Sequence, residues 1–365
     1  MRITNSMLVT NLMKNLNTNL TRLDKLQNQM ATGRKFPHIS DDPIALIYSQ
    51  AARNRIARLS HYQGSVGSAQ DWLNQTEVGL MELQARVVDA YDLTVDAATD
   101  AKLDEDRVNI SAPLKQIRDQ YVDTLNTAYG NKFVFGGYNT PGEPSSPPFS
   151  NYKPFEVMDT GTGPELYYNG FNLSQFDGMT LANFNAMIGP PPNNAFGPPG
   201  LTMLELNRFL VLRGDILEFD VGPGIPMPVA MNGVQVALFT TTDPNGVVVV
   251  RNTFDVLQYL CDATEFGSAS GFNVGDISDM IKPLQDSQNH LLTLTAEVGG
   301  RLRRLDMLEA RYELDSMNYR EMLSNAEDVD MADVLMNIKM AEAVYQASLS
   351  AGARVIQPTL MDFLR

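Results

Sequence analysis

Catalysis or metal binding needs ionisable or nucleophilic side chains at short, fixed spacings, and this chain offers few. Its three histidines, His38, His61 and His290, are scattered without metal-ligand spacing and read as lone surface residues. Asp328, Asp330 and Asp333 have a superficial calcium-loop rhythm. The twelve-residue loop with a central Gly and a terminal Glu is missing, so they read as a charged helix start, where the dipole favours carboxylates. Neither Gly136-Gly137 nor Gly299-Gly300 is followed by the Lys-Ser/Thr of a phosphate loop, and no G-x-S-x-G elbow occurs. The methionine stripes read as adaptable packing. These residues predict no catalytic, metal-binding or cofactor-binding set, and a protein that is not an enzyme.

What the sequence does specify is helices. Apolar residues make up 44% of 365 positions and charged residues 19%, enough for a real core and for two or three domains. No run of eighteen apolar residues suggests a membrane span, and the N-terminus lacks the apolar core and cleavage site of a Sec signal. The single cysteine, Cys261, permits no internal disulfide. Net charge is -15 but uneven: residues 1–60 carry nine Lys/Arg against three Asp/Glu, whereas 130–280 carry five against fifteen. A basic end and an acidic body suggest charge complementarity between neighbouring copies. Lys14, Arg22, Lys25, Arg34 and Lys35 lack interleaved aromatics, which argues against nucleic acid.

Seven-residue periodicity is clearest at Leu59, Val66, Leu73, Leu80, Val87 and Thr94, with Tyr62, Ala69, Thr76, Leu83, Ala90 and Ala97 three positions after each. These are the a and d seats of a coiled-coil seam, which needs a partner. Leu294, Val298, Leu302, Leu305, Leu308, Tyr312, Tyr319 and Leu323 supply one in the same chain. The pattern predicts a mainly α protein with a β-rich insert, its paired N- and C-terminal long helices forming a coiled-coil or helical-bundle stalk with the small β domain at the tip. The divisions expected are 1–40, an assembly helix; 41–140, half of the stalk; 141–252, the insert; 253–325, the other half of the stalk; and 326–365, a second assembly helix.

Along the chain, a first helix from Thr4 to Ala31 is closed by Gly33, and Asp42-Pro43 starts the next. A third helix spans Asp104–Tyr129, with Pro113 kinking it or marking its true start. The insert holds fifteen of the twenty prolines, in segments such as PGEPSSPP and GPPPNNAFGPPG, and strands are expected at LEFDV, PVAM, VQVALFTTT and, after a DPNG turn, VVVVR. A helix resumes near Thr253, and another runs from Asp276 to Leu323.

The two terminal arms mirror each other. Val9, Met13, Leu16, Leu20, Leu23 and Met30 form one stripe, and Val334, Ile338, Ala341, Tyr345, Leu349, Ala353 and Ile356 the other. So few modest apolar seats over some thirty residues cannot by themselves offset chain entropy, so both arms are expected to order only against neighbouring subunits.

Several segments carry a family likeness: the MRIT start, MATGRKFPHISDDPIALIYSQ (30–50), VGGRLRRLD (298–306), and NAEDVDMADV before a final helix ending LMDFLR. Together they resemble the paired terminal regions of the flagellin superfamily. GNKFVFGGYNTPGEPSSPPF (130–149) is more similar to the hook-filament junction family than to the flagellins. The resemblance implies a structural, extracellular axial protein of the bacterial flagellum in which the terminal helices form an inner layer. It also implies a ring of about eleven copies between another hook-associated protein and flagellin, with type III export and a cytoplasmic export chaperone on the C-terminal arm. Two alternatives remain at this level: a self-polymerising flagellin, and a secreted coiled-coil protein presenting a binding or enzymatic β domain.

Overall fold

A computed structural model describes residues 5–36, 42–99, 104–137, 140, 153–159, 161, 163–188, 217–243, 245–266 and 272–361. The MRIT start, His38, PGEPSSPP, GPPPNNAFGPPG and the last four residues of the LMDFLR end lie outside them, as does the side chain of Ile356.

Four long helices dominate: α1 (Asn5–Thr32), α2 (Pro43–Ala97), α8 (Ile281–Glu327) and α9 (Met331–Met361). Their boundaries follow from local chemistry. Gly33 takes φ +69, the left-handed conformation that ends a helix cheaply, and its N–H donates to Gln29 O at 2.8 Å. Asp42 Oδ1 accepts from the N–H groups of Ile44 and Ala45 at 3.1 and 3.0 Å, capping α2 with Pro43 in its first position. Asp330 Oδ1 caps α9 through Ala332 N–H at 2.8 Å.

Between α2 and α8 the described residues form α3 (Asp104–Leu125), ten short strands, and four short or medium helices: α4 (Leu181–Ile188), α5 (Gly233–Ala237), α6 (Thr253–Phe266) and α7 (Val274–Asp279). Pro113 does not mark the start of α3, which begins nine residues earlier and runs through it; the proline is exposed, so its ring lies on the solvent side. The expected helix from Asp276 is in fact two, with a break at Met280 between α7 and α8.

The β elements form small antiparallel sheets. One joins β3 (Phe155–Asp159), β4 (Pro164–Tyr168) and β5 (Phe171–Asn172), and another joins β6 (Met179–Thr180), β10 (Val248–Asn252) and β9 (Leu238–Thr242), with β10 central. Two-stranded pairs are β1 (Ala128–Tyr129) with β2 (Lys132–Phe133), and β7 (Glu218–Asp220) with β8 (Pro226–Pro228). VVVVR comes out as strand from Val248 onward, and Asp243 N–H donates to Val247 O at 2.9 Å. VQVALFTTT does not. Asn232 Oδ1 accepts from Val234 N–H at 2.9 Å, so the first half is the helix α5 and only Leu238–Thr242 is strand. PVAM likewise lies mostly past its strand, which ends at Pro228.

Two compact units emerge: unit 1, residues 1–61 with 311–365, and unit 2, residues 62–310. In unit 2 every a and d seat from Val66 to Ala97 that faces the seam is buried: Val66, Ala69, Leu73, Thr76, Leu80, Leu83, Val87, Ala90, Thr94 and Ala97. The partner face is Leu284, Leu291, Leu294, Val298 and Leu305 of α8. Tyr91 Oη accepts from Gln285 at 3.1 Å, and Gln70 donates to Asp306 and Glu309 at 2.9 Å, so the two helices run antiparallel and stay in register over 21 residues. The rest of the core is α3 against α6, tied by Lys115–Glu265 at 2.7 Å, and the aromatic layer of Phe155, Tyr168, Phe171 and Phe176.

Candidate assembly interface

Unit 1 is built differently. Its buried apolar side chains are Phe36, Ala52, Tyr312, Val334 and Ile338, while sixteen large apolar side chains among its described residues are exposed. Unit 2 reverses the ratio, with forty-eight apolar side chains buried and ten large ones exposed among its described residues. Helix α1 lies antiparallel along α9, with Leu12 against Gly352 and Asn19 Nδ2 donating to Ser348 Oγ at 3.3 Å. A Cβ at Gly352 would sit 2.7 Å from Leu12 Cδ2, so the absent side chain is what admits the leucine.

The stripes read from the sequence divide between two faces. Val9, Leu16 and Leu23 are half-buried toward α9, together with Leu12 and Leu26, which the stripe omitted. Met13 (62% exposed), Leu20 and Met30 point away. On α9, Val334 and Ile338 are buried and Tyr345 is half-buried, whereas Leu349 is exposed along with Met336, Met340 and Val344. Of the seam positions, Val66, Leu73, Leu80, Val87 and Leu305 are fully buried and Tyr312 is buried, while Leu59 and Leu302 are half-buried.

Where the four helix ends of unit 1 meet, one carboxylate does much of the joining, and sequence reasoning gave it no role of its own. Glu327 is 7% exposed and forms an ion pair with Arg53 of α2, with Arg34 Nε at 3.9 Å. Its backbone carbonyl accepts from Lys35 N–H at 2.7 Å, Lys35 Nζ donates to Asn325 O at 2.7 Å, and Val329 N–H donates to Gly33 O at 3.0 Å. Burial alone would raise the Glu327 pKa. Hydrogen bonds from Arg53 and Ser49 and the charges of Arg53 and Arg34 outweigh it and hold the carboxyl below its ordinary value. A Glu beside Asp328 reads from sequence as one more helix-start carboxylate, and the signal that could have separated it is only its position as the last residue of α8.

The titratable groups shifted furthest lie in unit 2. Burial pushes Asp255 up to about 7, Cys261 up to about 11 and Tyr121 up to about 12. Ser174 Oγ donates to Asp255 Oδ1 at 2.7 Å. A thiol at about 11 is protonated at neutral pH and therefore a poor nucleophile. His290 Nε2 lies 2.7 Å from Gln235 O, far in sequence from the other histidines. Among the described residues no helix is long and apolar enough to cross a membrane.

Residues 130–137 owe their shape to packing. Phe135 is fully buried where Gly79 of α2 leaves room for its ring, and Phe135 O closes on Gly233. Residues 3–140 match the family model for the bacterial flagellin N-terminal helical region. With the long helices and paired ends, that stretch is similar to the flagellin helical region, the likeness that the terminal motifs carry. Over almost its whole length the chain is similar to flagellar hook-associated protein 3 of Salmonella typhimurium, at 26% identity over 95% of each chain. The likeness to that of Escherichia coli is 22% over 96% of each. A solved flagellar hook-associated protein from Vibrio parahaemolyticus shares the fold, with a TM-score of 0.55 at 15% identity over 79% of this chain and all of that one.

Proposed function

We propose that this chain is a structural, non-catalytic protein of the bacterial flagellum that joins two helical lattices: a ring of about eleven copies between a neighbouring hook-associated protein and the flagellin filament. The observation that carries this reading is the thin core of unit 1, where among the described residues exposed large apolar side chains outnumber buried ones, in a chain similar over 95% of its length to hook-associated protein 3 of Salmonella typhimurium. Residues 1–40 and 326–365 serve as assembly helices that order against neighbouring copies. Export is by the flagellar type III route, with a cytoplasmic chaperone covering the C-terminal arm until secretion, which accords with a lone, buried cysteine.

A filament-forming flagellin is the second reading, favoured by the match of residues 3–140 to the flagellin N-terminal region. Adding purified chain to isolated hook and filament fragments and imaging them separates the two. A junction protein adds one limited layer, a flagellin elongates without limit, and failure to add at all contradicts both.

A further inference from the structure

Unit 1 carries a pocket of about 640 Å³ between the start of α2 and the end of α8, lined by Ile44, Ala45, Tyr48 and Met322, with Lys35 and Asp42 at its rim. Ile44 and Tyr48 are about two-thirds exposed, at 67% and 64%, so none of the described residues fills it. On the same unit Met336, Met340 and Val344, four residues apart, form a ridge on the face of α9 turned away from α1. We propose that the pocket of one copy receives the Met336–Met340–Val344 ridge of a second copy of this chain. The proposal rests on the self-assembly reading above and specifies which faces meet.

Charge and chemistry support the pairing. Lys339 and Glu342 flank the ridge, 3.2 Å apart, and the rim of the pocket offers an acid and a base in Asp42 and Lys35 to match them. More broadly, residues 1–60, which supply most of the pocket lining, carry nine basic against three acidic side chains, and residues 326–365, which hold the ridge, three against six, opposite balances that favour contact between copies. Unbranched methionines adapt to an irregular apolar pocket better than branched residues do. Because pocket and ridge are different surfaces, each contact leaves one of each free for the next copies. The contact is therefore heterologous and closes into a ring or continues as a helix, whereas ridge against ridge would stop at a dimer.

Two full-length variants test this, Tyr48→Cys and Met340→Cys, assembled separately and as a mixture on hook fragments and treated with a short bis-maleimide. The native Cys261 is buried and its thiol protonated, so it stays silent. Neighbouring sites in an assembly see each other at millimolar effective concentration, so the mixture should give about tenfold or more double-mass product than either variant alone. Ala45→Cys with Val344→Cys carries the same test should the first pair fail to assemble. Cross-linking of Met340→Cys with itself, or assembled layers without cross-links in the mixture, would overturn the docking while leaving self-assembly intact. No addition of the unmodified chain to hook or filament fragments would overturn both.

Discussion

Two carboxylates in this molecule titrate in opposite senses. Glu327 is held below its ordinary value of 4.5, so its ion pair with Arg53 contributes stability that is fully present above that value and is lost as pH falls through the lowered one. Glu327→Gln should therefore lower the helical melting midpoint at neutral pH, by about 1 to 2 kcal/mol of stability. The difference from the unmodified chain should vanish below the lowered value, which paired melts by circular dichroism can read. Asp255 behaves inversely: burial raises it from 3.8 to about 7, so the folded state holds a proton that the unfolded state releases. Stability from this group is present below 3.8 and falls as pH rises through about 7. The loss should be on the order of 4 kcal/mol in denaturant titrations, and Asp255→Asn should flatten it. Nothing in the sequence marks either residue, because a shifted pKa is set by neighbours such as Arg53 and Ser174 that lie 274 and 81 positions away.

The helical seam was readable because a coiled coil repeats its demand every seven residues, and each buried seat from Val66 to Ala97 repeats the signal. Leu80→Ala should therefore cost about 2 to 5 kcal/mol in a denaturant titration. Helix α1 misled for a physical reason. It is apolar on two faces, and periodicity alone cannot say whether Leu12 and Leu26 or Met13 and Leu20 turn toward α9. Polar replacement of Leu16 with Leu20, or of Ile338 with Tyr345, should still leave a soluble chain that does not add to hook fragments; normal swimming of a strain carrying either pair would contradict this. In the insert, Asn169-Gly170 carries its own hairpin signal. Both residues have positive φ, 47 and 75, the pair that a two-residue primed turn requires, and Tyr168 faces Phe171 across it. VQVAL, by contrast, alternates like a strand, and only its Asn232 cap betrays the helix. Gly233 could not be foreseen at all. A Cβ there would lie 2.4 Å from Phe155 and Tyr168 and 2.9 Å from Phe135 O, so Gly233→Ala should destabilise unit 2 by about 1 to 3 kcal/mol in the same titration.

Taken together, the chain is one unit with a filled core and another with hardly any. Asp/Glu and Lys/Arg are distributed so that its two ends attract, and the long helices α2 and α8 each contribute to both units. On the proposed reading, a polypeptide so divided travels with its ends unformed and completes them at the site of assembly. Hydrogen exchange read by mass spectrometry, on the free chain and on the chain added to hook fragments, tests this most directly. Residues 5–32 and 331–361 should exchange within seconds in the free chain and become strongly protected after assembly, while 62–97 stays protected throughout. Protection of both terminal helices in the free chain equal to that of 62–97 would contradict the account.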